Sequence, residues 1–299
     1  MPRRSSNSFR SLSLPAILIL GAIVGCRNWQ EKAESPKSTP KPRRTSSPSI
    51  APPISNQRSS NEGNLLLGNP SDAGQNVNNF LLDRPQFSLS YHRDNGGPNW
   101  VAWHTDISNL GDLDRGKFAP DPGLPSDSQI RPSDYKGSGY DRGHVCPSGD
   151  RTASREANNA TFWMSNMLPQ TGALNRNVWA DLENYVRDEI RAGNEAYQVA
   201  GGAGSAGRIG KGKINVPQIC WKVVVFLPVG NGDLRRIGSK TRVVAVGMPN
   251  VEDKRLETGD WRSYLTSVDK LESAIKLDLL SNLPDSVEKQ LEARTDSGN

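Results

Sequence analysis

Tyr140-Asp141-Arg142-Gly143-His144 sets an acid, a guanidinium, a glycine and an imidazole in consecutive positions between a Gly/Pro-rich loop and Val145-Cys146-Pro147. Asp and Arg are seldom fully buried unless paired, so the stretch is hard to explain as core. About thirty residues on, Asn175 and Glu183 fall in a helical pattern with Trp179 between them. The combination suits metal-assisted attack on a phosphodiester. That reaction needs a nucleophile made from water, neutralised equatorial oxygens and a stabilised leaving oxyanion. His144 is the best base, since an unperturbed imidazole titrates near pH 6.5. Magnesium keeps much of its own water and needs few protein ligands, so a neutral Asn175 carbonyl could be its main inner ligand. Glu183 could hold a water on the ion. Arg142, with Arg115 and Arg187, could neutralise phosphate through forked hydrogen bonds. Gly143 would let the chain turn sharply, so that Arg142 and His144 both enter the cleft. His92 and His104, in or beside expected strands, read as structural. Three histidines and two available thiols argue against a closed zinc site.

Elements must position these groups. Val178, Leu182, Val186 and Ile190 recur every four residues and predict a helix with one apolar stripe, stopped by Gly193. Asn175, Trp179, Glu183 and Arg187 form a second row that the same helix could turn toward a cleft. Residues 87–91 and 100–104 alternate as strands around the turn Asn95-Gly96-Gly97-Pro98, predicting a hairpin. Residues 160–164 have the aromatic and β-branched content of a strand, and 165–170 lead into a turn. Residues 108–139 read as loop, with Arg115, Asp121 and Arg131 its contributors to a site. Residues 197–202, 221–229 and 242–246 predict further strands. The glycines of 201–212 predict a mobile loop, with no P-loop spacing. Thr266 or Ser267 caps a helix reaching Ile275, and Pro284 starts another. Strands with few helices predict an α+β fold: a largely antiparallel central sheet with flanking helices.

The formal charge of +5 misleads, because the first 60 residues carry ten bases against two acids and leave residues 61–299 at −3. Binding of a polyanion by the folded part must therefore rely on local arginine clusters. Residues 1–26 combine basic residues, an apolar run too short to span a bilayer, and Ile23-Val24-Gly25-Cys26, which resembles a bacterial lipobox with Cys26 acylated. The bland alternative is an ordinary signal peptide. Residues 27–60, rich in Pro, Ser, Lys and Arg, predict a disordered tether, and 61–299 a single domain. Export is expected, with a lipid anchor to a membrane or otherwise plain secretion. Cys146 and Cys220 could pair or remain buried thiols.

Asp141-Arg142-Gly143-His144, then Ser165-Asn166-Met167, then Asn175 with Trp179 and Glu183 resemble in order and spacing the DNA/RNA non-specific endonucleases. These are ββα-metal nucleases of the Serratia nuclease type, and the chain is most similar to their cyanobacterial branch, from about residue 79 onward. The resemblance implies His144 as general base, Asn175 as direct Mg2+ ligand (Mn2+ the other candidate ion) and Glu183 as outer-shell metal residue. It implies Arg142 as phosphate binder or organiser beside Asp141, Arg115 as transition-state arginine, Arg187 as a substrate contact and Asn166 as a supporting residue near the metal. DNA and RNA as substrates, with 5′-phosphate products, are implied by the resemblance alone. Cys146 departs from the small apolar residue of many relatives. The alternative is a surface lipoprotein of the same fold that binds nucleic acid without turnover. Whether a protein inhibitor is a partner stays open.

Overall fold

Alternating β-branched and aromatic residues build the strands. The computed structural model describes residues 63–298, which lie within one compact unit, so Cys26, the signal segment and the tether fall outside the described residues. Strands β1 (Gln75–Asn76), β2 (Asn79–Asp83), β3 (Ser88–His92) and β4 (Gly97–Thr105) form a meander. Next come β5 (Asp141–His144) and β6 (Met167–Gln170), which pair only with each other. Then follow β7 (Asn194–Ala203), the small hairpin β8 (Arg208–Ile209) and β9 (Ile214–Asn215), β10 (Ile219–Pro228), β11 (Arg242–Pro249) and β12 (Leu265–Thr266). The main sheet has eight strands in the order β1-β2-β3-β4-β7-β10-β11-β12. Every pairing within it is antiparallel, as the α+β reading expected.

The helices are α1 (Arg155–Thr161), α2 (Gly172–Asn175), α3 (Val178–Arg191), α4 (Asp233–Arg236), α5 (Lys254–Thr258), α6 (Val268–Ile275) and α7 (Asp285–Glu292). Period-two alternation along β10 sorts its side chains between two cores. Cys220, Val224 and Phe226 share one with Val178, Leu182, Val186 and Ile190, the expected apolar stripe of α3. Trp221, Val223, Val225 and Leu227 share the other with Val268, Leu271 and Leu291 of α6 and α7. The sheet is thus a wall between two helical layers, and the site lies on the α3 side. Gly193, at φ 106°, ends α3 in the left-handed region open to glycine. Ser267 caps α6 by accepting from the Lys270 amide.

Three expectations need correction. Residues 160–164 do not form a strand, because Ser154 accepts from the Ala157 amide and starts α1, which runs through Thr161. Their aromatic content serves packing: Phe162 and Met164 are buried, and Trp163 keeps only an isolated bridge to Ala119. Residues 201–212 are not one continuous loop. β7 continues to Ala203, and the β8–β9 hairpin is tied to the β3–β4 turn through Arg208 on Asp94 and the Asn215 amide on Asn95. Asn175 is not on the long helix; it ends α2, and the chain breaks before α3 begins. Cys146 and Cys220 are free, buried thiols, each pushed up to about 12 by burial.

Among the described residues no helix is long and apolar enough to cross a membrane. If the α3 stripe anchors the helix, Leu182→Ala lowers unfolding free energy by about 2–5 kcal/mol in a denaturant titration. The exposed Asp188→Ala on the same helix changes it by less than about 0.5 kcal/mol.

Candidate active site

Strand β5 is short, but its alternation decides where the chemistry sits. Arg142 and His144 project to one face, Asp141 and Gly143 to the other. Gly143 makes no turn, contrary to expectation: it is extended and pairs with Leu168. Glycine is needed because a Cβ there would sit 2.0 Å from the Gln170 Oε1 atom packed over it.

On the first face the imidazole lies among aromatic rings. Phe162 meets His144 edge-on at 4.7 Å and Phe118 lies at 5.5 Å. The Arg142 guanidinium sits 4.3 Å over Phe118, and the exposed Arg115 sits 5.4 Å over Phe162. Two cations therefore flank the ring through two phenyl groups. His144 is only 8% exposed, and its Nε2 has no hydrogen-bond partner. Burial first, and the Arg115 charge second, lower its pKa to about 3, well below the value expected for a free imidazole. The ring is neutral at pH 7 and its basic nitrogen is unspent.

On the other face Asp141 accepts from Asn175 Nδ2 at 3.0 Å and from Arg176 Nε and Nη2 at 2.8 and 2.6 Å. Arg176 holds the carboxyl below its ordinary range. A carboxylate only accepts, so the Asn175 amide nitrogen must face it, which turns the carbonyl oxygen away. The half-buried Asn175 thus presents a hard oxygen donor of the kind magnesium or manganese takes. Its helix is fixed by the Thr171 cap and by the Asn250 side chain, which accepts from the Thr171 amide at 2.9 Å.

Glu183 keeps part of its surface in contact with solvent, yet it is packed deeply enough that burial raises its pKa, with Lys222 and Arg187 opposing. Beside it Asp150 accepts from Trp103 Nε1 at 2.9 Å, Gln198 Nε2 at 3.0 Å and Arg187 Nη1 at 2.9 Å. Arg187 also donates to Asn184 at 2.7 Å, so its guanidinium orders this corner and is not a free fork. Asn166 spends its amide on backbone, bonding Cys146 N, Cys146 O and Thr161 O at 2.8–2.9 Å. It clamps the chain just past His144. Asp121 is buried against Arg84 and Ser165 and anchors its loop, whereas Arg131 is exposed and precedes a 3-10 turn. His92 accepts from the Asn95 amide, and His104 bonds Glu195 at 2.9 Å. His104, Glu195 and Asp233 could geometrically hold a cation, but Arg236 bridges both acids and Tyr197 donates to Asp233.

A cleft of about 470 Å³ opens along Arg142, Asp141, Tyr140 and Lys136. Through Ser133, Lys136 and Gly137 it adjoins a second of about 380 Å³, edged by Lys211 and Lys213. Lys211 stands in the left-handed region at φ 59°, between Gly210 and Gly212.

A model of the DNA/RNA non-specific endonuclease family matches residues 69–286. The chain belongs to that family. Within it, the chain is 45% identical over 254 residues to a nuclease of Nostoc sp., covering 83% of this chain and 92% of that one. It is 32% identical over 227 residues to nuclease C1 of Cunninghamella echinulata, covering 70% and 85%. Its fold resembles that in the crystal structure of the EndoG/EndoGI complex, with a TM-score of 0.63, 23% identity, and coverage of 75% and 92%. The chain is accordingly an endonuclease. Sequence reasoning missed Asp150, Arg176, Phe118 and Lys222. Only Lys222 left a signal, as a charge inside the otherwise apolar run of β10.

Because the His144 ring is held neutral, its proton NMR resonances show no protonation between pH 8 and 5; a midpoint between 6 and 7 contradicts the burial argument. The unfolded chain binds that proton first, so the group costs stability as pH falls from about 6.5 toward 3. His144→Asn flattens the stability-versus-pH slope there by up to about 1.4 kcal/mol per pH unit.

Proposed function

We propose that this endonuclease hydrolyses DNA and RNA without regard to sequence, using Mg2+ or Mn2+, with His144 as general base and 5′-phosphate products. The observation that carries the reading is the buried, neutral, unpartnered Nε2 of His144, on the same short strand as the carboxylate that orients Asn175. The Cα atoms of Asp141 and His144 are about 10 Å apart along that strand, a span that one phosphodiester and its hydration can bridge.

In this reading His144 takes the proton from the attacking water. Arg142 and Arg115 meet the negative charge that grows on the phosphate oxygens. Asn175 Oδ1 would be the direct ligand of the ion, and Glu183 would hold water beside it. When bound, a hard divalent cation supplies charge at the scissile phosphate and the leaving oxygen. The fit rests on a neutral carboxamide whose nitrogen is spent on Asp141, leaving its oxygen as the donor. Phosphate contacts carry no base information, so clefts edged by Arg142, Lys136, Lys211 and Lys213 account for indifference to sequence. The strand leaving the site runs past Lys136 toward Lys211 and Lys213. Export with acylation at Cys26 belongs to the same proposal, as does a protein inhibitor seated over this cleft, since EndoG is found in complex with EndoGI.

Incubation of the full chain with plasmid and with RNA tests it. Cleavage requires Mg2+ or Mn2+, stops with chelator, and falls at least about 100-fold in His144→Ala. Undiminished cleavage by that variant sinks the base assignment; nucleic acid retained without product favours the non-catalytic alternative. Replacing Lys211 and Lys213 by Ala weakens duplex binding uniformly across sequences. It also reduces the slope of log affinity against log salt by about 0.9 per lost phosphate contact.

A further inference from the structure

The helical layer across the sheet from α3 concentrates acid. Asp269 and Glu272 stand one turn apart on α6, and Glu288 and Glu292 one turn apart on α7. Lys276, at φ 62°, closes α6 in the left-handed region. Asp278 follows on the link between the helices, its amide bonded to Pro70 O at 3.0 Å. Asp269, Glu272 and Glu292 each bring a carboxylate oxygen within 4.8 Å of the other two, and so do Asp278, Glu288 and Glu292. Both triads meet at Glu292.

Acids gathered on a helix face need no ligand where water solvates them or a base pairs with them. Glu292 has neither. It is only 9% exposed, and its Oε1 has no hydrogen-bond partner. The two oxygens of a carboxylate share one carbon, so this unspent atom lies inside the cluster. Among the described residues no lysine or arginine forms an ion pair with any of the five acids. Burial first, then the charges of Glu272, Glu288, Asp269 and Asp278, push Glu292 above the ordinary carboxylate range. A buried, unpaired carboxylate oxygen beside four further acids is unfavourable on both counts, and one bound cation relieves both. The scaffold beneath is firm, since Leu271, Leu279 and Leu291 are buried in the core of this layer.

We propose that Asp269, Glu272, Asp278, Glu288 and Glu292 form a Ca2+ site, centred on Glu292 and separate from the catalytic cleft, that ties α6 to α7. The donors are all carboxylate oxygens, which suit a hard cation. Ca2+ takes six to eight oxygens in loose geometry, and carboxylates binding through one or both oxygens supply them. Mg2+ demands a near-ideal octahedron and keeps its water, so it has little use for so many acids.

The test uses the full-length protein stripped of metal by chelator, with the variants Asn175→Ala, Glu292→Gln, Asp278→Asn and, as an exposed control on α3, Asp188→Asn. Ca2+ alone is titrated by calorimetry, and the thermal midpoint is read with and without it. At 100 times its Kd, Ca2+ raises the midpoint of the wild type, Asn175→Ala and Asp188→Asn by about 5–10 °C. Glu292→Gln and Asp278→Asn each weaken Ca2+ binding at least about 10-fold and lose most of that shift. Mg2+ at the same concentration gives less than half of it in Asn175→Ala. A full Ca2+ shift in both Glu292→Gln and Asp278→Asn overturns the proposal, as does absence of Ca2+ binding by Asn175→Ala or a Mg2+ shift equal to that of Ca2+. Where Glu292→Gln does not fold, Asp278→Asn, at an exposed position, decides it. No nucleic acid is present in these titrations, so failure to cleave bears on the proposed function and not on this site.

Discussion

The Asp141 carboxylate is the contact on which the site depends. It stands at one end of a four-residue strand whose other end is His144, and it accepts from the amide nitrogen of Asn175. Without that bond the carboxamide of a short, separate helix has nothing to decide which of its two ends meets Asp141. With it, the amide nitrogen meets Asp141, the oxygen faces away from that carboxylate, and the imidazole lies three residues along the strand. Arg176 holds the same carboxylate from the solvent side and keeps it ionised. The strand is steadied by the backbone clamp from Asn166 and by Gln170 pressed against Gly143.

The two walls of the site have opposite electrostatic character, and each follows from burial. Around His144 the aromatic rings of Phe118 and Phe162 exclude water, while Arg115 and Arg142 add positive charge. Both effects keep the imidazole neutral, and the two guanidinium groups attract an anion in a domain whose overall charge does not. Around Glu183 burial instead favours the neutral acid, and the cations Lys222 and Arg187 counter it. A neutral imidazole and a carboxyl beside two cations suit the base and water-holding roles proposed for them.

The fold was legible wherever local pattern and tertiary burial agree. The four-spaced stripe of α3 is buried along its whole length, and the alternation of 87–91 and 100–104 became the β3–β4 hairpin. Pattern failed where one residue type serves two ends. Phe162 and Met164 look like strand residues because they are large and apolar, but they fill the core beside a helix that Ser154 starts. Gly143 suggested a turn, and it answers instead to the volume of a side chain 27 residues away, Gln170. Helical spacing placed Asn175 in one row with Glu183, and the break after α2 separates them. Lys222 of β10, Asp150 and the α3 pair Glu183 and Arg187 come together only in the fold, so only the odd lysine in an apolar run hinted at them.

The proposal needs His144 and Asn175, which lie toward opposite faces of β5, to serve one and the same cation and its phosphate. Mn2+ added to isotope-labelled protein, with side-chain NMR resonances followed through the titration, tests it most directly. The account predicts that the first equivalent broadens the His144 ring and the Asn175 side-chain amide together, while the His92 and His104 rings stay sharp. Broadening of His104 with His144 left sharp would assign the ion to the buried His104–Glu195–Asp233 group and contradict the account.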